Sequence, residues 1–208
     1  RMALADYCVK EGRGIYTDMN ALRPDDDMDE IHSIYVDQWD WEKVISEEDR
    51  NLSYLKSTVR KIYNAIKRTA FLLEELYPAL EDYLPEDIVF VHTEDAEKEY
   101  PDLTPNEREY ALAKKYGAVF LIGIGYGAKP HSGRAPDYDD WSTETEWGNH
   151  GLNGDIIVWD KVRQSNLELS SMGIRVNREA LLRQLKLRGM EERKDLYWHK
   201  RLLNGEFP

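Results

Sequence analysis

A single cysteine, Cys8, stands in a chain of 208 residues, so no internal disulfide is available. That economy fits a reducing, cytoplasmic setting. Nothing in the sequence activates Cys8 as a nucleophile, and a small buried residue is its simpler role. Long apolar runs are missing too: no segment approaches the length of a membrane-spanning helix, and no signal peptide is visible. Positive charge is scarce. Lys and Arg number 28 against 40 Asp and Glu, a formal net charge of −12. Such a surface repels phosphate backbones and argues against a nucleic-acid partner. The standard nucleotide-loop signatures fail as well. In Gly123-Ile124-Gly125-Tyr126-Gly127-Ala128-Lys129, the lysine follows alanine and precedes proline, against the Walker pattern. Pro130-His131-Ser132-Gly133 then opens a loop where a Rossmann motif needs a helix. No repeat or linker interrupts the chain, which reads as one domain over residues 1–208. Hydrophobic residues at 41% and charged residues at 33% make it globular.

The stretch richest in chemistry is Ser33-Ile34-Tyr35-Val36-Asp37-Gln38-Trp39-Asp40-Trp41-Glu42. Its β-branched and aromatic residues predict a strand. Alternation puts Ile34, Val36, Gln38, Asp40 and Glu42 on one face. Tyr35, Trp39 and Trp41, with Ser33 and Asp37, take the other, where three large rings need covering. The first face starts apolar and ends polar, which suits a small charged substrate carrying a flat apolar group; a strand end facing water is the plainer explanation. Residues 14–24 form a second extended run, and the two predict a long-looped antiparallel hairpin. Pro24 pushes Arg23 towards an extended conformation at the hairpin mouth. From there a guanidinium fork suited to carboxylate or phosphate reaches the surface of Gln38 and Asp40. A surface ion pair with Asp25 to Asp27 is the alternative.

Leu52, Leu55, Val59, Ile62, Ile66 and Leu73 predict a long amphipathic helix, with a capping arrangement at Ser46-Glu47-Glu48-Asp49 and a stop before Pro78. Ile88-Val89-Phe90-Val91 reads as a short buried strand followed by His92, and a helical turn is expected over 95–99. Thr104-Pro105-Asn106-Glu107 is a capping box opening a helix that stops at Gly117. The wholly apolar run 118–124 is a central strand covered on both faces. Residues 130–154 form a long loop carrying Asp137, Asp139, Asp140, Trp141, Trp147 and His150, the profile of an active-site loop. Residues 156–159, 167–169 and 174–176 read as successive strands. Asn177 caps a helix over 178–188 ending at Gly189, and a second helix is expected from 191 to 203.

Arg23-Pro24-Asp25 and the run from His32 to Glu42 carry a resemblance to the asparagine synthetase A family, the ammonia-dependent aspartate ligases. So do Arg134-Ala135-Pro136-Asp137-Tyr138-Asp139-Asp140-Trp141-Ser142, Gly151-Leu152-Asn153-Gly154-Asp155-Ile156 and Glu168-Leu169-Ser170-Ser171-Met172-Gly173-Ile174-Arg175. The runs occur in the family's order and cover essentially the whole chain. The resemblance implies an α+β fold: a mainly antiparallel sheet flanked by helices, similar to the catalytic core of class II aminoacyl-tRNA synthetases. It implies one catalytic domain truncated at both ends, because family chains run on in each direction. Their N-terminal part carries substrate contacts and a dimer-forming segment. Their C-terminal part carries a glycine-rich motif whose arginine holds the nucleotide.

The implied reaction joins L-aspartate, ammonia and ATP into asparagine, AMP and pyrophosphate through a β-aspartyl adenylate. Carried over by position, Gln38 and Asp40 hold the aspartate, with Ser171. Val36 and Ser33 meet ATP. Arg23 binds the α-phosphate and reacting carboxylate, and Arg175 belongs to the nucleotide wall or is a structural ion-pair partner. Asp139 positions ammonia and takes up its proton. Asp155 and Glu168 offer oxygen ligands to Mg2+ or act as structural hydrogen-bonding groups. The implied assembly is a homodimer, with no nucleic acid and no membrane as partner. Three other functions compete. One is a non-catalytic paralogue binding aspartate and ATP. Another is carbohydrate hydrolysis, for which Trp39-Asp40-Trp41 and Asp139-Asp140-Trp141 offer carboxylates beside stacking rings. The third is a tRNA synthetase, which needs an anticodon-binding domain and preferably a basic face.

Overall fold

A computed structural model of the chain describes residues 1–25, 27–126 and 137–207. They form two compact units. One comprises Arg1–Asp49 with the segment from Lys200 onward, and the other Arg50–His199.

The first unit opens with a short helix, α1 (Met2–Asp6), and continues into the predicted hairpin of β1 (Gly14–Leu22) and β2 (Tyr35–Lys43). The strands pair antiparallel, with Ala21 opposite Val36, Met19 opposite Gln38, Thr17 opposite Asp40 and Ile15 opposite Glu42. The ladder runs one step further, where the Arg23 N–H donates to the Ile34 carbonyl at 2.7 Å. Asp29 organises the connecting loop by accepting from the Ile31 and His32 N–H groups at 2.8 and 2.7 Å. These bonds, with the His32 ring, hold its carboxyl near pKa about 2. Cys8 is exposed and free, not the buried residue expected, because it lies in the turn after α1 with φ of 50°.

The second unit is built on a four-stranded sheet. β3 (Val89–His92) runs parallel to β4 (Ala118–Ile122); β4 then pairs antiparallel with β5 (Asn153–Asp160), and β5 with β6 (Ser165–Gly173). Every residue of β4 is buried, as its apolar composition requires of a strand covered on both faces. Val119, Leu121 and Ile157 pack against Ala96 of α3 (Thr93–Glu99) and Leu112 and Ala113 of α4 (Pro105–Tyr116). The opposite face carries Phe120, edge-on to Phe90 at 5.9 Å. There Arg60 of α2 (Leu52–Leu76) lays its guanidinium over the Phe90 ring, 4.8 Å from the centroid. The buried stripe of α2 is Leu52, Leu55, Val59 and Tyr63. Burial first, with Asp82, Asp87 and Glu86 nearby, pushes the Tyr63 hydroxyl up to about 12. None of the helices described is long and apolar enough to cross a membrane.

The capping box of α4 forms as predicted, with Thr104 and Glu107 bonding each other's backbone N–H groups. α5 (Arg178–Leu187) is capped by Asn177, which accepts from the Ala180 N–H at 2.9 Å. Three expectations need correction. α2 is capped by Asn51, not by the 46–49 segment, where Ser46 instead closes a turn onto the Asp49 N–H. Residues 167–169 are not a separate strand from the run up to Gly173; 165–173 is one strand, and 174–176 continues beyond it as an extended segment. Finally, the helix expected over 191–203 is not continuous. It breaks at Leu196 between a 3-10 turn (Glu191–Asp195) and α6 (Tyr197–Leu203).

Candidate active site

On the hairpin, register and alternation put Arg23, Val36, Gln38 and Asp40 on one face. Val36 and Gln38 are half-buried and Asp40 is exposed, one carboxylate oxygen accepting the Trp41 N–H at 2.8 Å. Ser33 precedes β2 on the other parity, and its hydroxyl accepts the Tyr35 N–H at 3.3 Å. The aromatic face is open: Trp39 is 85% exposed and Trp41 42%. Tyr16, Leu22 and Tyr35 share that face and are exposed as well.

In the second unit the predicted residues meet on the β5–β6 sheet. Asn153 pairs with Gly173 and Asp155 with Ser171. Ile156 then faces Ser170, but Ile157 faces Glu168, so Leu169 is an extra residue without a cross-strand partner. This β-bulge changes the parity of β6. Without it, Glu168 and Ser171 would point to opposite faces. With it, Glu168, Ser171 and Asp155 share one face, also occupied by Asn153 and Gly173. Asp155 is buried and Glu168 exposed. Beyond β6, Arg175 bridges to Asp139, and its guanidinium donates to the Asp139 carboxylate at 2.7 Å. It also lies 4.7 Å from the centroid of the Tyr138 ring. Glycine is required at 173: a Cβ there would sit 2.7 Å from the Asn153 Cβ and 3.0 Å from an Asp139 carboxylate oxygen.

Asp139 is buried and held in place by a dense polar turn. Its neighbour Asp140, fully buried, accepts from Arg50 at 2.8 Å, from the Thr143 hydroxyl at 2.6 Å and from the Ser142 and Thr143 N–H groups. Arg50 also donates to the Arg175 carbonyl. Gln184 of α5 spans the same turn. It accepts from the Trp141 N–H and Ser142 hydroxyl and donates to the Asp139 carbonyl. Neither Arg50 nor Gln184 figured among the candidates from sequence. A signal for Gln184 existed, since an amide between Leu181 and Leu185 on a buried stripe needs a polar partner.

Further features lie around this face. His92 at the end of β3 is buried, and burial lowers its pKa below the ordinary value. His150 stacks on Tyr126 at 3.8 Å, and its N–H is bound by Glu94 at 2.6 Å. A cleft beside Leu121 is walled by Thr93, Glu94, Arg108 and Tyr126 and holds none of the predicted site residues. The part of the predicted loop over 130–136, with Arg134, and the stretch with Lys129 lie outside the described residues. Among the described residues no group of three or more His, Cys, Asp or Glu side chains is placed to hold a metal ion. Asp155 and Glu168, two carboxylates on one face, offer oxygen donors of the kind Mg2+ prefers.

Known proteins resemble this chain at two levels. Solved synthetases share the fold. Aspartyl tRNA synthetase from Entamoeba histolytica matches 99% of this chain and 42% of its own, with TM-score 0.62 and 16% identity. Asparaginyl-tRNA synthetase of the same organism, in complex with asparaginyl-adenylate, matches 96% of this chain and 46% of its own, with TM-score 0.61 and 15% identity. Sequence relatives are far nearer. An aspartate–ammonia ligase of Parabacteroides distasonis is 57% identical over all of this chain, and one of Bacteroides fragilis 53%. The chain spans 61% of the length of each. The family model for aspartate-ammonia ligase matches residues 1–208. With an α+β fold like that of the class II synthetases and ligase relatives above half identity, the chain belongs to the aspartate-ammonia ligase family.

Proposed function

We propose that this chain is the catalytic portion of an enzyme that amidates L-aspartate with ammonia, converting ATP to AMP and pyrophosphate. The observation that carries the proposal is the single β5–β6 face bearing Asp139, Arg175, Ser171, Asp155 and Glu168, in a chain 57% identical to an aspartate–ammonia ligase. In the first step a side-chain carboxylate oxygen of aspartate bonds to the α-phosphorus and pyrophosphate leaves. Arg23 offsets the mutual repulsion of the two anions. Gln38 and Asp40, on the same hairpin face, take the amino acid's ammonium group, Val36 lies against the adenine, and Ser33 contributes to the nucleotide site. In the second step ammonia bonds to the acyl carbon and AMP leaves. The new amide nitrogen must shed a proton, and Asp139 is the acceptor. Ser171 and Arg175 line the substrate–nucleotide wall. Asp155 and Glu168 would hold Mg2+, which when bound neutralises phosphate charge. The reading includes a homodimer in the cytoplasm, with ammonia as the nitrogen source.

The test separates the two steps in the whole protein. Aspartate-dependent exchange of pyrophosphate into ATP reports activation, and asparagine release reports amidation. Asp139→Asn should lower amidation by about 100-fold or more, the usual contribution of a general base, and exchange far less. Equal loss of both activities would reject the role given to Asp139. Loss of aspartate-dependent exchange from the unsubstituted protein would reject the reaction itself.

A further inference from the structure

We infer that Gln184, on α5, is a positioning residue for Asp139, and that its amide controls the amidation step while leaving activation of the carboxylate alone. The inference rests on the reading that Asp139 serves amidation. Gln184 is 2% exposed, on a stripe whose other members, Ala180, Leu181 and Leu185, are all apolar, so its polar group is buried for its partners alone. Its amide is engaged at both ends, and by one short stretch of chain. The oxygen accepts from the Trp141 N–H at 3.0 Å and the Ser142 hydroxyl at 3.1 Å. The nitrogen donates to the Asp139 carbonyl at 3.0 Å.

The polarity of that grip is fixed. A carbonyl only accepts and a backbone N–H only donates, so a reversed amide would set like against like at both ends. Gln184 therefore clamps the backbone on either side of Asp140. Asp140 itself is fastened by Arg50 and Thr143 and by the bond from its own N–H to the Ile174 carbonyl. The Asp139 carboxylate is tied to the Arg175 guanidinium at 2.7 Å and occupies the gap that the missing side chain of Gly173 leaves. Rotation of the 139–142 peptides would move it within that gap. A displacement near 1 Å is enough to cost about 100-fold in a step that depends on alignment.

Gln184→Glu is nearly isosteric and isolates one end of the clamp. It keeps acceptors for Trp141 and Ser142 and, as the carboxylate, sets an acceptor against the Asp139 carbonyl; Gln184→Met, which has no proton to donate there, is measured beside it. The expected result in the whole protein is a fall of about 10- to 100-fold in kcat for asparagine at saturating ammonium. Pyrophosphate exchange should stay within about twofold, since activation precedes the aligned attack. Leu181→Ala, a buried truncation on the same helix, should scale both activities together, as a purely structural loss would. Gln184→Met, which keeps length without polarity, provides the same ratio if Gln184→Glu does not fold. Asp139→Asn is measured alongside. If it shifts the ratio and the Gln184 variants do not, the positioning role is overturned. If Asp139→Asn leaves the ratio unchanged, the failure belongs to the role given to Asp139. Gln184 variants that lower exchange and amidation equally also overturn the inference.

Discussion

Removing the Arg50 guanidinium should be among the costliest surface-neighbouring changes in the second unit. Its partner Asp140 is 0% exposed and Arg50 only 12% at the side chain, with 2.8 Å between nitrogen and oxygen. Breaking a buried pair by deleting one partner costs about 3–5 kcal/mol, because the other charge stays buried without its counter-ion. Asp140 retains the Thr143 hydroxyl, two backbone N–H groups and the partly exposed Arg183 guanidinium at 3.9 Å, which places Arg50→Met near the lower end, at about 3 kcal/mol. A control pair has nearly the same length: Lys67 and Glu86 lie 2.7 Å apart, but Glu86 is 92% exposed. Lys67→Met should cost about 0.2–1 kcal/mol. Urea unfolding followed by tryptophan fluorescence reads both. At about 1–3 kcal/mol per molar urea, Arg50→Met lowers the midpoint by about 1–3 M and Lys67→Met by a fraction of that. Adding Asp140→Asn to Arg50→Met should recover part of the loss, since the stranded charge is gone. Equal midpoints for the two single variants would refute the claim that burial, and not contact distance, sets the strength of these pairs.

Stability should also depend on pH through two buried imidazoles. Burial lowers the pKa of His92 and of His199 below the ordinary 6.5, against the opposing pull of Asp95 on the first and Asp137 on the second. Below 6.5 the unfolded chain therefore binds more protons than the folded one. The stabilisation is full above that value and is lost as pH falls through the lowered folded values. Urea midpoints should drop between about pH 8 and about pH 5.5, and His92→Gln should flatten the slope; a midpoint that rises on acidification would contradict this. At the capping box of α4, Thr104→Ala should cost about 1 kcal/mol, measured by the same unfolding curves, with Glu107→Ala costing less. No loss at Thr104 would mean that the cap is redundant with tertiary packing.

Local chemistry made much of this fold legible. Thr104, Pro105 and Glu107 name a helix start whatever surrounds them, and Asn177 does the same for α5. The hairpin followed from alternation alone. Where several cap-forming residues crowd together, sequence is silent. Ser46, Asp49 and Asn51 all suit a helix start, and only the backbone decides that Ser46 closes a turn while Asn51 caps. Aromatic size misled at Trp39, which reads as needing cover and is open. At the site, the family resemblance supplied the candidates, and the register shows which of them share a face. Plain alternation along β6 would group Leu167, Leu169 and Ser171. The extra residue substitutes Glu168, a change that no composition rule reveals. Arg50 and Gln184 escaped notice because their partners lie 90 and 42 to 45 positions away in sequence, beyond any local pattern.

The doubled position in β6 bears on how the family can vary in length. Ser171 and Glu168 flank two residues, Leu169 and Ser170, that together oppose Ile156. Losing Leu169 would straighten the strand and leave every remaining side chain opposite its present neighbour. A one-codon deletion elsewhere in the strand would turn everything on its far side over. Gaps within β6 among relatives should therefore fall at 169 or 170, and a homologue lacking that residue should keep both its carboxylate and its hydroxyl on the same face of the sheet.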